Sequence, residues 1–227
     1  MVYPNCPNPA VNRTCAKSGA PLNFTLAIMR TDNLYSLPEN LPTPEDDGAC
    51  DHLRRSMIPS MGLRATSGRT VDLSKEGQPW LVVYCYPRTG RPDQEPPGGA
   101  AAWNAVPGAR GCTPQSCAYR DHYAELAALD ATVYGLSTQD TEYQSEAAQR
   151  LHLPFPLLSD ARLDFARALR LPTFTFAGLE LIKRLTVIAR AGRIEEVLYP
   201  VFPSDSDAGR VIEWLTAHFS GRAEARR

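Results

Sequence analysis

Two cysteines, Cys112 and Cys117, are the residues of this 227-residue chain whose types and spacing best suit chemistry. They lie in residues 111–121, where Thr113 and Pro114 predict the start of a helix, because proline at the first helical position loses no hydrogen bond. Cys112 would then lie at the positive end of a helix dipole, which favours a thiolate over a thiol. A reactive thiol followed closely by a second thiol is typical of a redox couple.

Two other interpretations of these cysteines remain open. Free cysteine packs well as a small apolar residue, so both could be inert core side chains. Zinc binding is disfavoured, because four intervening residues place two ligands awkwardly on a helix and no paired histidine or cysteine follows. The helix-start position, Gly111 and the long loop before it favour a redox or nucleophilic role.

The composition is that of an ordinary globular domain. Hydrophobic residues make up 43% and charged residues 22%, and the net charge of −1 offers no attraction for nucleic acid or an anionic membrane. The best apolar candidate, residues 22–29, is far shorter than the roughly 20 residues that cross a bilayer. Six cysteines are too few for a secreted disulfide scaffold of this length. We therefore expect a cytoplasmic protein with no nucleic-acid or membrane partner.

The distribution of prolines and polar residues divides the chain into three parts. Residues 1–60 show no sustained helical or strand period and predict an irregular, partly disordered N-terminal extension. Residues 61–220 are expected to form one domain, and residues 221–227 a basic tail. Three cysteines of the extension lack metal-binding spacing, which favours spare thiols over a metal site. They are Cys6, Cys15 and Cys50.

Hydrophobic periodicity within residues 61–220 alternates between strands and helices. Apolar runs predict buried strands, and Gly192 predicts the turn of a hairpin. The predicted strands are residues 69–73, 80–84, 131–136, 185–189 and 194–199, with a short edge segment at 153–158. The predicted helices are residues 114–129, 141–151 (opened by a capping box at Thr141), 160–169 (capped by Asp160) and 206–219. This alternation predicts an α/β, thioredoxin-like fold, in which helices cover both faces of a mixed central sheet.

The segment around the two cysteines also resembles a known family. The residues that carry the resemblance are Tyr86-Pro87, Gly111-Cys112-Thr113, Gln115, Cys117 and Tyr119-Arg120-Asp121. They are similar to the peroxidatic segment of the peroxiredoxins, and most of all to the peroxiredoxin Q and bacterioferritin comigratory protein branch. Residues 155–160 (Phe-Pro-Leu-Leu-Ser-Asp) and the strand that follows Arg184 resemble further segments of that branch.

The resemblance implies a role for each of three residues. Cys112 would be the peroxidatic cysteine that attacks the peroxide, and Cys117 the resolving cysteine that forms a disulfide with it. Arg184 would stabilise the thiolate and polarise the peroxide. The implied activity is reduction of hydrogen peroxide and alkyl hydroperoxides, with thioredoxin or a similar dithiol as reductant and no metal or organic cofactor. We expect a monomer or weak dimer.

The chain departs from the family pattern in two places. The family usually has a threonine three residues before the first cysteine, where this chain has Ala109. The family's proline lies seven residues before the cysteine, whereas an inserted loop of residues 89–110 separates Pro87 from Cys112. Thr89 or Thr113 is the expected replacement for the missing hydroxyl group.

Two rival functions fit the same residues. A thiol–disulfide oxidoreductase of the thioredoxin fold would act on protein disulfides, but such proteins usually carry two cysteines separated by two residues. A non-enzymatic redox sensor would use oxidation of Cys112 to change a surface that a partner recognises. The remaining candidates have simpler interpretations. Cys85 directly follows the predicted buried strand of residues 80–84, which favours an inert buried thiol, and Arg120 with Asp121 is expected to form a structural ion pair.

Overall fold

The computed structural model describes residues 32–76 and 79–224, the last six of these by their backbone alone. Its nine strands are β1 (Leu63–Ala65), β2 (Thr70–Val71), β3 (Trp80–Cys85), β4 (Ala131–Ser137), β5 (Leu157–Ser159), β6 (Thr173–Phe176), β7 (Leu179–Ile182), β8 (Leu185–Arg190) and β9 (Arg193–Leu198) in the described ranges. The α-helices there are α1 (Ala100–Asn104), α2 (Cys112–Asp121), α3 (Tyr123–Ala128), α4 (Thr141–Arg150), α5 (Asp164–Leu169) and α6 (Asp207–Glu224).

Seven strands form one mixed sheet in the order β2-β1-β5-β4-β3-β8-β9. β3, β4 and β5 run parallel to one another, and the other neighbours pair antiparallel. The hairpin of β8 and β9 turns at Ala191 and Gly192, whose φ values of 49° and 75° suit a tight hairpin turn. β6 and β7 form a separate hairpin, which the sequence pattern did not predict.

The central strand β3 divides the core into two clusters, because successive side chains of a strand point to opposite faces. Leu81 and Val83 pack in the cluster that α5 covers. Val82 and Tyr84 pack in the cluster covered by α2, α3, α4 and α6. The predicted α/β architecture, with helices on both faces of a mixed sheet, is confirmed.

The helix that carries the two cysteines differs from the predicted one. α2 begins at Cys112, two residues before Pro114, and ends at Asp121, where His122 (φ −95°, ψ 8°) separates it from α3. The proline is tolerated at the third helical position because backbone N–H groups of the first turn have no intrahelical partner. Gly111 caps the helix with φ 109°, a conformation that residues with a Cβ atom rarely adopt.

Three further local predictions need correction or refinement. β5 is not an edge segment, because it pairs with both β1 and β4. α4 is capped by Asp140, whose carboxylate accepts a hydrogen bond from the N–H of Tyr143 at 2.6 Å, and not by Thr141. The helix that Asp160 was predicted to cap, α5, begins only at Asp164. The two carboxylate oxygens of Asp160 still accept hydrogen bonds from its first turn, from the N–H groups of residues 165 and 166 at 3.1 and 2.8 Å.

The packed core begins earlier in the chain than residue 61. Cys50, Leu53 and Ile58 are buried in the cluster that α5 covers, so the end of the expected extension belongs to the core. α6 reaches Glu224 and includes the first residues of the expected tail. The predictions on residues 1–31, which include Cys6 and Cys15, lie outside the described residues.

Within the part of the chain that the structure describes, none of the helices is both long enough and apolar enough to cross a membrane.

Candidate active site

Cys112 occupies the first position of α2 and is only 3% exposed. Its Sγ accepts a hydrogen bond from the backbone N–H of Arg88 at 3.4 Å and another from Nη2 of Arg184 at 3.2 Å. As a thiol it can donate to the carbonyl oxygen of Ala109 at 3.6 Å. The sulfur atom therefore has two hydrogen-bond donors beside it at the N-terminus of a helix.

Arg184 lies immediately before β8 and is 3% exposed. Its guanidinium donates to the carbonyl oxygens of residues 108–110 at 3.2–3.3 Å and to Oε1 of Gln115. Nη2, which contacts the carbonyl oxygens of Ala109 and Arg110, also lies 3.2 Å from Sγ of Cys112. The structure therefore brings together Cys112 and Arg184. The planar guanidinium group of arginine carries five N–H donors, which explains how one side chain can contact several acceptors.

Sequence reasoning missed a network of buried polar side chains that is joined to Arg184 through Gln115. Oδ2 of Asp207, the first residue of α6, accepts from Nε2 of Gln115 at 2.7 Å, from Tyr119 Oη at 3.0 Å and from Thr186 Oγ1 at 2.7 Å. Since the amide nitrogen of Gln115 faces this carboxylate, its oxygen faces Arg184. Burial raises the pKa of Asp207 above its usual value, against the effect of these hydrogen bonds. Only the family resemblance at Gln115 hinted at this arrangement.

Cys117 lies in the second turn of α2 and is half-buried. Burial raises the pKa of its thiol, an effect that the nearby charge of Arg120 opposes. Cys117 is therefore poorly suited to begin a reaction as a thiolate. Its thiol suits a second step, in which it attacks a sulfur atom that has already been oxidised. Both cysteines of α2 are free, as are Cys50 and Cys85.

The two threonines expected to replace the missing hydroxyl group have different surroundings. Thr89 is fully buried and its Oγ1 donates to Oε1 of Gln139 at 3.0 Å. Thr113 follows Cys112 on α2, and both threonines line the same small cavity. Ala109 contributes its backbone, because its carbonyl oxygen accepts from Arg184.

Two cavities flank this site. A narrow one lies beside Cys112, between Arg88, Gly111 and Thr113, and leaves about 20 Å³ for the centre of a water-sized sphere. A larger one of about 430 Å³ lies against Arg184 and Gly108. Cys112 lines neither of these two cavities, so its sulfur atom is covered in this conformation.

The arrangement suits nucleophilic attack by sulfur on a polar, uncharged oxygen compound. The guanidinium of Arg184 can stabilise both the thiolate and the negative charge that develops on an oxygen atom as its bond breaks. No group of three or more His, Cys, Asp or Glu residues that could hold a metal ion occurs within residues 32–76 and 79–224.

Cys85 lies outside this site, and the pair Arg120–Asp121 reaches it only through the charge of Arg120 near Cys117. Cys85 is fully buried in the other core cluster, and burial raises the pKa of its thiol. Arg120 forms an ion pair with Asp121 at 2.8 Å and also donates to the carbonyl oxygen of Leu151 at 3.0 Å. These contacts agree with the structural roles that the sequence suggested for the three residues.

Comparison with known proteins relates the chain to a family. The Redoxin family model matches residues 54–212, more than half of the chain. Peroxiredoxin Q, chloroplastic, of Oryza sativa subsp. japonica is 30% identical over 161 residues, which are 70% of this chain and 65% of that protein. Peroxiredoxin Bcp of Bacillus subtilis (strain 168) is 30% identical over 110 residues, 48% of this chain and 59% of that protein. The chain thus spans 65% of the length of the rice relative that it matches.

A solved structure extends the comparison to the fold. Peroxidoxin BcpB from Mycobacterium tuberculosis superposes with a TM-score of 0.59 at 23% identity, over 72% of this chain and 96% of that one. The likeness confirms the predicted thioredoxin-like fold.

Proposed function

Because this chain belongs to the redoxin family, in its peroxiredoxin Q and bacterioferritin comigratory protein branch, we propose that it is a thiol-dependent peroxidase. Its substrates would be hydrogen peroxide and alkyl hydroperoxides. The observation that carries the proposal is the 3.2 Å contact between Nη2 of Arg184 and Sγ of Cys112 at the start of α2. A buried cation on a helix-start thiol is the arrangement that an attacking thiolate needs.

In the first step, the Cys112 thiolate attacks the distal oxygen of the peroxide. A sulfur–oxygen bond forms, the oxygen–oxygen bond breaks, and the leaving oxygen takes up a proton and departs as water or an alcohol. The oxidised product is a sulfenic acid on Cys112. Arg184 is positioned to stabilise the negative charge that develops on the leaving oxygen.

In the second step, Cys117 resolves the sulfenic acid. Its thiol displaces the sulfenic hydroxyl group, so that water leaves and a disulfide joins the two cysteines. A dithiol reductant then exchanges with this disulfide, becomes a disulfide itself and restores both thiols. We propose thioredoxin or a similar dithiol protein in this role, in a reducing compartment. The cytoplasmic location and the monomeric or weakly dimeric state stay predictions.

A peroxide-consumption assay with thioredoxin tests the proposal. Cys112→Ser should abolish consumption, because serine is not ionised at neutral pH. Cys117→Ser should still consume one equivalent of peroxide per chain, but it should not turn over with thioredoxin. Consumption by Cys112→Ser would contradict the assignment of the nucleophile.

The same assay separates the rival functions. A thiol–disulfide oxidoreductase would reduce protein disulfides faster than peroxide, and a sensor would oxidise once without catalytic turnover. Full turnover of peroxide by the unmodified chain, lost in both cysteine variants, is the result that favours a peroxidase.

A further inference from the structure

Residues 32–37, here termed the strap, lie against the segment that leads into α2. Arg110, two residues before Cys112, directs its side chain into the strap. Its guanidinium forms an ion pair with Asp32 and donates to the carbonyl oxygen of Asn33. The side chain of Arg110 is only 4% exposed, so water screens these contacts less than it screens a surface ion pair. The strap is therefore fastened to the residues just before the reactive thiol.

Two further contacts hold the strap in place. Leu37 lies against Gly111, so closely that a Cβ atom on this glycine would be 2.7 Å from Cδ2 of Leu37. At the other side, Oη of Tyr35 accepts a hydrogen bond from Nη1 of Arg150, the last residue of α4, at 3.2 Å. The strap thus links α4 to the two residues that precede Cys112.

The disulfide expected between Cys112 and Cys117 requires part of α2 to move. Residues five apart in a helix have Cα atoms about 8–9 Å apart, and a disulfide tolerates at most about 7 Å. The second turn is held by the core, because Tyr119 is fully buried and stacks on Tyr84 with the ring centroids 4.3 Å apart. The hydroxyl group of Tyr119 also donates to Oδ2 of Asp207 at 3.0 Å. The first turn, which carries Cys112, is therefore the part that must move.

Movement of Cys112 draws residues 110 and 111 with it, since consecutive Cα atoms are only about 3.8 Å apart. The contacts of Arg110 with Asp32 and of Gly111 with Leu37 exist before this movement and are strained or lost during it. Contacts that are present in the starting conformation and absent from the transition state slow the departure from that conformation. The strap therefore opposes the unwinding of α2.

From these contacts we infer that Arg110 and Asp32 are positioning residues, which hold Cys112 at the start of α2 and delay its disulfide bond with Cys117. The strap lies before residues 54–212, which the family model matches. The inference rests on the proposed peroxidase function and concerns the rate of its second step, in which the thiol of Cys117 displaces the sulfenic hydroxyl group as water.

Single-turnover kinetics on the full reduced chain test the inference. After mixing with one equivalent of hydrogen peroxide, rapid-quench mass spectrometry follows the sulfenic acid, labelled with dimedone, and the disulfide that replaces it. In Asp32→Ala, the disulfide should form about tenfold faster than in the unmodified chain, as expected when hydrogen bonding between charged groups is lost from the starting conformation. The sulfenic acid should form at the unmodified rate, because Arg184 and the N–H of Arg88 still contact Sγ of Cys112.

Two further variants complete the test. Asp47→Ala is the matched control, because it removes another carboxylate from the N-terminal region, one that pairs with Lys183 at 2.7 Å and not with Arg110. It should leave the rates of both steps unchanged. Arg110→Met removes the other partner of the Asp32 ion pair and should also speed disulfide formation, which keeps the test available if Asp32→Ala folds poorly.

The outcomes distinguish the inference from the proposed function. If both strap variants form the sulfenic acid normally but neither forms the disulfide faster, the inference is overturned and the proposed function stands. A comparable acceleration in Asp47→Ala, or a slowing of both steps in the strap variants, would also overturn it, because either result reflects a general loss of stability. If hydrogen peroxide did not oxidise Cys112 in the unmodified chain, the proposed function would fail, and this inference with it.

Discussion

Nη2 of Arg184 lies 3.2 Å from Sγ of Cys112, although the two residues are 72 positions apart in the sequence. Arg184 immediately precedes β8, and Cys112 begins α2, which packs on the neighbouring strand β3 through Tyr84. The register of β3 with β8 pairs Tyr84 with Thr186 and so brings the start of β8 to the start of α2. The sheet therefore determines where the cation meets the sulfur.

The first prediction concerns this contact. Arg184→Met should slow the oxidation of Cys112 by hydrogen peroxide about 100-fold, because the donor that stabilises the developing charge is lost. Stopped-flow kinetics at neutral pH measure the rate.

The adjacent Lys183 provides a matched control. Its Nζ contacts Asp47 at 2.7 Å and Tyr199 at 3.3 Å, so Lys183→Met removes one cation beside Arg184 without touching the sulfur. The reaction rate of this variant should equal that of the unmodified chain. A folded Arg184→Met variant that reacts as fast as Lys183→Met would leave Arg184 with a structural role only.

The second prediction concerns the change in α2 on oxidation. Residues five apart in a helix lie about 8–9 Å apart between Cα atoms, from a rise of about 1.5 Å per residue and a Cα radius near 2.3 Å. A disulfide tolerates at most about 7 Å. Since Cys112 and Cys117 both lie within α2 and are free, their disulfide requires the first turn to unwind. Amide hydrogen exchange of residues 112–120 should therefore increase in the disulfide form.

Two comparisons identify the cause of that increase. α4, a helix of the same length without cysteine, should keep its protection in both redox states. Cys117→Ser treated with one equivalent of peroxide should show no comparable increase, because it cannot form the disulfide. Equal protection of residues 112–120 in the reduced and disulfide forms would refute the unwinding.

The third prediction is a pH dependence of stability that originates at Asp207. Burial raises the pKa of Asp207 in the folded state above its ordinary value of 3.8, which the unfolded state keeps. Between the pKa of the unfolded state and that of the folded state, the folded chain therefore binds more protons than the unfolded chain. The free energy of unfolding therefore contains a contribution that falls as the pH rises through this interval. Asp207→Asn lacks the titrating group and should lack this contribution.

Urea denaturation between about pH 4 and 8 measures the effect. The unfolding free energy of the unmodified chain minus that of Asp207→Asn should decrease as the pH rises. If the difference in unfolding free energy between the unmodified chain and Asp207→Asn did not depend on pH, burial would not raise the pKa of the Asp207 carboxyl group.

The fourth prediction separates the buried thiols from the reactive pair. Burial raises the pKa of Cys50 to about 12 and that of Cys85 further, so neither thiol ionises near neutral pH. Cys85→Ala should leave peroxide turnover unchanged and lower the free energy of unfolding by about 1 kcal/mol, as expected for a small loss of core packing. Turnover and chemical denaturation are the measurements. A loss of turnover in a folded Cys85→Ala variant would assign this thiol a role in the reaction.

The sequence by itself determined the elements that local chemistry specifies. The apolar run of β3, the glycine turn between β8 and β9, and the helix that begins near Pro114 all depend on residues close together in the chain. The two cysteines of α2 could be identified for the same reason, since five positions separate them. Arg184 was found only through a family resemblance, because a single cation before a strand has no distinctive local pattern.

Only the tertiary structure decided which distant residues meet. β5 proved internal because its position depends on two partner strands, and no property of residues 157–159 alone reveals them. The contact of Asp207 with Gln115 depends on the packing of α6 against α2. The contact of Arg110 with Asp32 joins residues 78 positions apart. Sequence patterns report neighbours along the chain, whereas the site is assembled from side chains that are neighbours only after the sheet has formed.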